Sequence, residues 1–132
     1  MTGDDMTDKL AEAINTIKTN EHIGRESCVI NSTKLIKAVI SVMKNEEYIK
    51  DYEEFKERYT KKMKITLSNR INDIGVIKPR YSANKNDIQQ YEGRYIPSRD
   101  FGILIVSTPE GVMTNKDAKS RGIGGKLLAY VY

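Results

Sequence analysis

The chain has a single cysteine, Cys28, and a single histidine, His22, among 132 residues. The lone cysteine rules out an internal disulfide, and its neighbours Val29 and Ile30 place the thiol in a buried strand of a protein from a reducing compartment. The lone histidine sits in a polar stretch and gives no support to a metal site or a histidine relay. No apolar run approaches the ~20 residues that a membrane helix needs, and the acidic start, with Asp4 and Asp5, is unlike a signal peptide. A soluble, cytosolic chain without a membrane partner is expected. Internal repeats, low-complexity tracts and Pro-rich or Ser-rich linkers are also missing. The length then implies one domain, or two small halves, 1–66 and 67–132, packed together because each alone buries too little.

What is present in excess is positive charge, and it is unevenly placed. Residues 1–66 hold 12 Lys and Arg against 12 Asp and Glu, whereas residues 67–132 hold 10 against 6. The net +4 therefore lies wholly in the second half, and a pI of 9.1 segregated in this way points one face at a polyanion. Most carboxylates, including Glu46, Glu47, Glu53 and Glu54, read as a solvated face.

The hydrophobic pattern predicts an α+β fold. Leu10, Ala13, Ile14 and Ile17 share one helical face, with Thr7 as cap, and this helix ends before Gly24. Ser27 to Ile30 reads as a strand. A second helix, capped among Asn31 to Thr33, carries the stripe Leu35, Ile36, Val39, Ile40 and Met43. Tyr48 to Phe55 and Met63 to Leu67 alternate as strands, completing an amino-terminal α-β-α-β-β unit. The remainder reads as a small, mostly antiparallel sheet with a short helix. It comprises a strand over Ile71 to Ile77, a helix over Asp87 to Tyr95, the apolar run Phe101 to Val106, and a closing strand from Lys126 to Tyr132.

Chemistry concentrates in the last third. The run Phe101 to Val106 is expected to deliver Ser107 and Thr108 into a turn closed by Pro109 and Gly111. Thr114 starts a helix with Asp117 three residues on, and Gly122 stops it after Lys116, Lys119 and Arg121. Gly122, Gly124 and Gly125 leave bare backbone beside Lys126. Hydroxyls that donate and accept, open backbone and cations together suit phosphates and ribose hydroxyls. Plainer readings exist for each part. Ser-Thr-Pro stabilises turns, Gly122 serves as a left-handed helix stop, and Tyr130 and Tyr132, which offer rings for a base to stack on, are expected to pack instead. Gly-Ile-Gly-Gly-Lys fails as a nucleotide loop, because Ser120 stands where glycine is needed and Leu127 where Ser or Thr is needed. Asp100-Phe101-Gly102 matches a kinase triplet by coincidence in so short a chain. Asp100 is expected to pair with a cation such as Arg99. Lys78 and Arg80 flank Pro79 in a stiff exposed segment that suits either a second phosphate contact or solubility alone.

Gly102, Ile105-Val106-Ser107-Thr108, Gly111-Val112-Met113, Ala118-Lys119 and Gly122, Gly124, Gly125 together resemble the small-ribosomal-subunit protein eight family. Arg70-Ile71-Asn72, Gly75 to Tyr81 and Pro97 to Gly102 are similar to its archaeal and eukaryotic branch. The resemblance implies a non-enzymatic ribosomal constituent, cytoplasmic in the small subunit, that binds the central domain of small-subunit ribosomal RNA early in assembly. Ribosomal proteins would be its neighbours, with no cofactor, metal or small-molecule substrate. It also implies RNA contacts at Ser107, Thr108, Gly111, Thr114, Lys116, Lys119, Arg121, Gly122, Gly124, Gly125 and Lys126, with Lys34 and Lys37 adding fewer from the first half. The chain departs from the family pattern in three places. Thr33-Lys34 is followed by Lys37-Ala38 where a Gly-Arg pair is usual. Glu53 to Lys64 lacks the family's turn glycine and is expected to form a longer or partly helical loop. Glu110 enters the contact turn and is expected to face solvent, since phosphate would repel it.

Three rivals remain at this level: a translational regulator using the same surface on a messenger RNA, a small phosphate-binding enzyme, and a protein-interaction module. The enzyme lacks an acid, base or nucleophile pair. The interaction module predicts binding insensitive to salt.

Overall fold

A computed structural model describes residues 2–98 and 101–132, with side chains from Lys9 onward. The expected pairing of Asp100 with Arg99 lies outside the described residues. The chain divides into two units, Met1–Ile71 and Asn72–Tyr132.

The first unit runs α1 (Thr2–His22), β1 (Ser27–Asn31), α2 (Lys34–Asn45), β2 (Ile49–Glu57) and β3 (Thr60–Leu67). Helix α1 begins before Thr7, which lies inside it rather than capping it. The strands form one antiparallel-paired sheet in the order β1-β3-β2, so β1 and β2 run parallel on either side of β3. Strand alternation sends Cys28, Ile30, Met63, Ile65 and Leu67 to one face, where they are buried with Leu10, Ile14 and Ile17 of α1 and Ile36, Val39, Ile40 and Met43 of α2. Thr33 caps α2, its hydroxyl accepting from the Ile36 N–H at 3.1 Å.

The stretch from Glu53 to Lys64 is neither a long loop nor helical. It is a continuous hairpin whose pairing reaches Glu57↔Thr60 and leaves only Arg58 and Tyr59 in the turn. Opposite charges face each other at Glu53↔Lys64, and Arg58 takes the left-handed conformation, φ 56°, that glycine adopts more easily.

The second unit runs β4 (Ile74–Val76), β5 (Ser82–Ala83), α3 (Ile88–Tyr95), β6 (Ile103–Thr108), β7 (Gly111–Thr114), α4 (Asn115–Arg121) and β8 (Gly125–Val131). Its strands pair antiparallel in the order β4-β8-β6-β7, with β5 also on β8. Around Leu104, Val106 and Leu127 gather Ile77, Ala83, Ile88, Ile96, Met113 and Ala118. Tyr130 stacks between Tyr95 and Tyr132, at centroid distances of 5.6 and 6.3 Å, so the closing tyrosines pack rather than stand free. The chain end is tied in, because the Asn72 and Asp73 N–H groups donate to the Tyr132 carbonyl and the Tyr132 N–H donates back to Asp73.

Two expectations about this unit change. The strand expected from Ile71 to Ile77 is confined to Ile74–Val76. Ser107 and Thr108 belong to strand β6 rather than to the turn after it, since they pair with Val112 and Gly111 of the unforeseen strand β7. The turn itself is only Pro109 and Glu110. Proline brings no donor to it, and Gly111 accepts φ 121° on the far side.

Near Asn69 the first unit buries a carboxylate. Burial raises Glu21 above its ordinary 4.5, opposed by the Asn69 backbone. Burial, and then the Glu21 charge, pushes the Cys28 thiol up to about 11, which keeps it unreactive. Folded Glu21 holds its proton more tightly than the unfolded chain, so ionisation costs no stability below 4.5 and an increasing amount as pH rises toward the folded value. Glu21→Gln is therefore expected to stabilise the protein at pH 7 and to leave it unchanged at about pH 3.5. Urea unfolding at the two pH values checks this, and an equal gain at both excludes ionisation as the cause.

Candidate nucleic-acid interface

The rim of the second unit is built by backbone crossing. Pairing between β6 and β8 slips by one residue, from Ile105↔Ala129 to Val106↔Leu127, so Leu128 is the extra residue of a bulge. The slip sets Lys126 opposite Ser107; an unbroken register would put Leu127 there. Gly125 makes the crossing possible, because a Cβ at that position would strike the Ser107 carbonyl and approach the Thr108 Cα. Gly124 does the same against the Ala83 carbonyl and Asn84. Both glycines are thus required by neighbouring backbone within the protein.

These elements enclose an open concavity of about 650 Å³, lined by Ser107, Thr108, Pro109, Gly124, Gly125 and Lys126 on one side and by Ser82 to Asn84 and Asp87 on the other. The two hydroxyls differ in kind. Thr108 is buried, and its Oγ1 donates to the Gly111 carbonyl at 2.7 Å while accepting from the Glu110 N–H at 3.1 Å. It staples the turn. Ser107 is half-buried beside exposed Lys126, and its hydroxyl has no partner among the described residues.

Helix α4 rises beside this rim. The Thr114 hydroxyl caps it by accepting from the Asp117 N–H at 3.1 Å, as the spacing predicts. At its end Gly122 adopts φ 70°, and the Gly122 and Ile123 N–H groups close back on the Lys119 and Ala118 carbonyls. Its cations have separate duties. Lys116 is exposed. Lys119 donates to the buried Glu92 carboxylate at 2.7 and 3.0 Å. Arg121 holds Glu110 at 3.0 Å, so Glu110 is exposed as expected but paired. Both members of that pair are half exposed, which makes it weak and exchangeable.

The anchor of α4 was not visible in the sequence. Asn115 is fully buried; its amide donates to Glu92 and its carbonyl oxygen accepts from the Leu104 N–H at 3.1 Å. Ser82, Asn84 and Asp87 were also missed as lining residues. The polar turn Asn84-Lys85-Asn86-Asp87 was their signal, since the Asn84 side chain accepts from the Asn86 and Asp87 N–H groups as an Asx turn.

Other expected contacts lie elsewhere. Lys78 is exposed and Arg80 half-buried, on either side of Pro79 between β4 and β5, outside the lining of the concavity. Lys34 and Lys37 are exposed on α2 of the first unit, where Lys37 meets Glu54 at 3.7 Å.

The family model described as Ribosomal protein S8 matches residues 8–132. The chain belongs to that family. A protein named Small ribosomal subunit protein uS8 from Archaeoglobus fulgidus is 48% identical over 126 residues, covering 95% of this chain and 98% of the relative. Proteins of the same name from Thermoplasma volcanium and Picrophilus torridus are 47% and 44% identical, with the same coverage. The archaeal character of these relatives agrees with the branch suggested by the upstream motifs. As a member of this family the chain is a structural ribosomal protein and not an enzyme. Among the described residues no helix is long and apolar enough to cross a membrane.

Two substitutions test the architecture of the rim. Gly125→Ala is expected to destabilise the second unit by about 1 to 3 kcal/mol through overpacking against the Ser107 backbone. Asn115→Ala, which strands the Leu104 N–H and removes a donor from buried Glu92, is expected to cost on the order of 2 kcal/mol. Urea midpoints measure both, and wild-type stability of either variant contradicts the corresponding contact.

Proposed function

We propose that the chain is a constituent of the small ribosomal subunit and binds small-subunit ribosomal RNA directly through the rim of its second unit, helping that RNA to fold during assembly. One observation carries the reading. The unpartnered Ser107 hydroxyl and the exposed Lys126 ammonium are set side by side by the β8 bulge, at the mouth of a concavity closed by backbone glycines. A hydroxyl that donates and accepts can follow base edges and riboses, while the adjacent ammonium neutralises phosphate. Such short groups suit the wide, shallow minor groove and internal loops of an irregular RNA helix. The names of the relatives, small-subunit ribosomal proteins, support the same reading.

The remaining predicted residues take graded parts. Lys116 faces solvent beside the rim and adds long-range attraction. Arg121 reaches phosphate by exchanging its weak partner Glu110. Lys119 chiefly balances Glu92 and holds α4 in place. Thr108, Thr114, Gly111, Gly122, Gly124 and Gly125 shape the surface that Ser107 and Lys126 use. Lys78 and Arg80 contribute charge outside the lining of the concavity, and Lys34 and Lys37 contribute charge on the first unit.

Nuclease footprinting and salt-dependent affinity on naked small-subunit ribosomal RNA test this. Ser107→Ala is expected to lower affinity by about 1 to 3 kcal/mol without altering the salt slope or stability. Thr108→Ala should reduce stability first, by about 1 kcal/mol. Lys126→Ala should lower the slope by about one unit. Wild-type affinity and slope in the Ser107 and Lys126 variants would remove the rim from the interface.

A further inference from the structure

The β2–β3 hairpin ends in a surface that the rim does not explain. Between Phe55 and Lys62 stand Lys56, Arg58, Lys61 and Lys62 against one carboxylate, Glu57. Lys56 and Lys61 are directly opposite each other, a like-charge pairing that costs the isolated hairpin stability. Arg58 occupies a left-handed position, φ 56°, that glycine or asparagine would hold with less strain. Tyr59, beside it in the turn, is 96% exposed. Phe55, cross-strand from Lys62, is 37% exposed. Lys61 lies near Glu54, which also takes Ser32 and Lys37. Lys56 and Arg58 form no ion pair among the described residues.

A repelling lysine pair and an uncovered tyrosine, with the Arg58 cation between them in the chain, are satisfied together by one kind of occupant. Phosphates neutralise Lys56, Arg58 and Lys61, and an unstacked base covers the Tyr59 ring, as in surfaces that combine cations with an aromatic platform. An acidic protein segment satisfies the cations but gives the tyrosine ring no planar partner. We infer that the tip of the β2–β3 hairpin is a second RNA-binding element, gripping backbone phosphates with Lys56, Arg58 and Lys61 and stacking one unpaired base on Tyr59. The occupant, RNA, rests on the function proposed above. Its residues belong to the first unit and are distinct from those of the rim, and Lys61 shares Glu54 with Lys37.

The test uses the full chain and naked small-subunit ribosomal RNA, with affinity measured across a salt series. Lys56→Gln combined with Arg58→Asn, which removes two charges and keeps a residue tolerant of the turn, is expected to lower the salt slope by about 1.4 to 1.8. Tyr59→Ala is expected to lose about ten- to hundred-fold in affinity at unchanged slope, and Tyr59→Phe to retain it. Lys126→Ala is measured in parallel. If Lys126→Ala weakens binding while the hairpin variants match wild type, the hairpin inference is overturned and the rim stands. If the hairpin variants weaken binding and Lys126→Ala does not, the hairpin is upheld and the rim fails. If the wild-type chain does not bind the RNA at all, both are overturned. Equal losses in Tyr59→Ala and Tyr59→Phe overturn the stacking role.

Discussion

The buried carboxylate of Glu92 is the constraint from which the second unit takes its shape. Sealed to 3% exposure, it needs partners for its oxygens, and it finds them in the Asn115 amide and the Lys119 ammonium. Asn115 passes the constraint on, because its other side-chain atom accepts from the Leu104 backbone at the start of β6. Three elements, α3, α4 and β6, are thus joined by a single polar cluster. Leaving a buried polar group of this cluster without its partner costs about 1 to 3 kcal/mol, a large share of the stability available to a small unit. The direction of α4, and so the point at which the chain turns at Gly122 toward β8, follows from that anchor.

Glycine completes what the anchor begins. Gly124 and Gly125 let β8 pass against Ala83, Asn84 and Ser107 closer than any side chain permits, and the bulge at Leu128 then turns Lys126 to face Ser107. Most polar groups nearby are already committed: Thr108 to the turn, Thr114 to the helix cap, Lys119 to Glu92, Arg121 to Glu110. The surface left for a partner is therefore narrow. Its centre is one half-buried hydroxyl, one ammonium and open backbone, and under the proposed function exposed Lys116 and exchangeable Arg121 flank it, a composition that would read shape rather than a long sequence.

The two units divide the electrostatic work differently. In the first, residues 1–66 hold equal numbers of acids and bases, yet pairing gathers acids along β2 and cations at the hairpin tip. Composition over a window of 66 residues averages this away, and only the strand register separates the ends. Glu53↔Lys64 and Lys56↔Lys61 are three residues apart along each strand and opposite in electrostatic consequence. The mid-chain segment looked like a loop because it has no turn glycine. It became a hairpin because Arg58 tolerates the left-handed position when cross-strand pairing on both sides enforces it.

Periodicity by itself determined much of this protein. The helical stripe of α2, the apolar run of β6, the Thr114 cap with Asp117 and the Gly122 stop are local signals, written within a few residues of one another, and each appears where its spacing predicts. The α+β class and the family follow from the same local information. Only the tertiary structure decided which hydroxyl is used up and which remains, because that depends on a β7 strand too short to announce itself. It also decided that Gly124 and Gly125 serve neighbouring backbone, that a bulge sets Lys126 against Ser107, and that Glu92 and Asn115 are buried together. The glycine contacts and the Glu92–Asn115–Leu104 cluster join residues 11 to 41 positions apart, and no local pattern encodes which distant atoms will exclude water from each other.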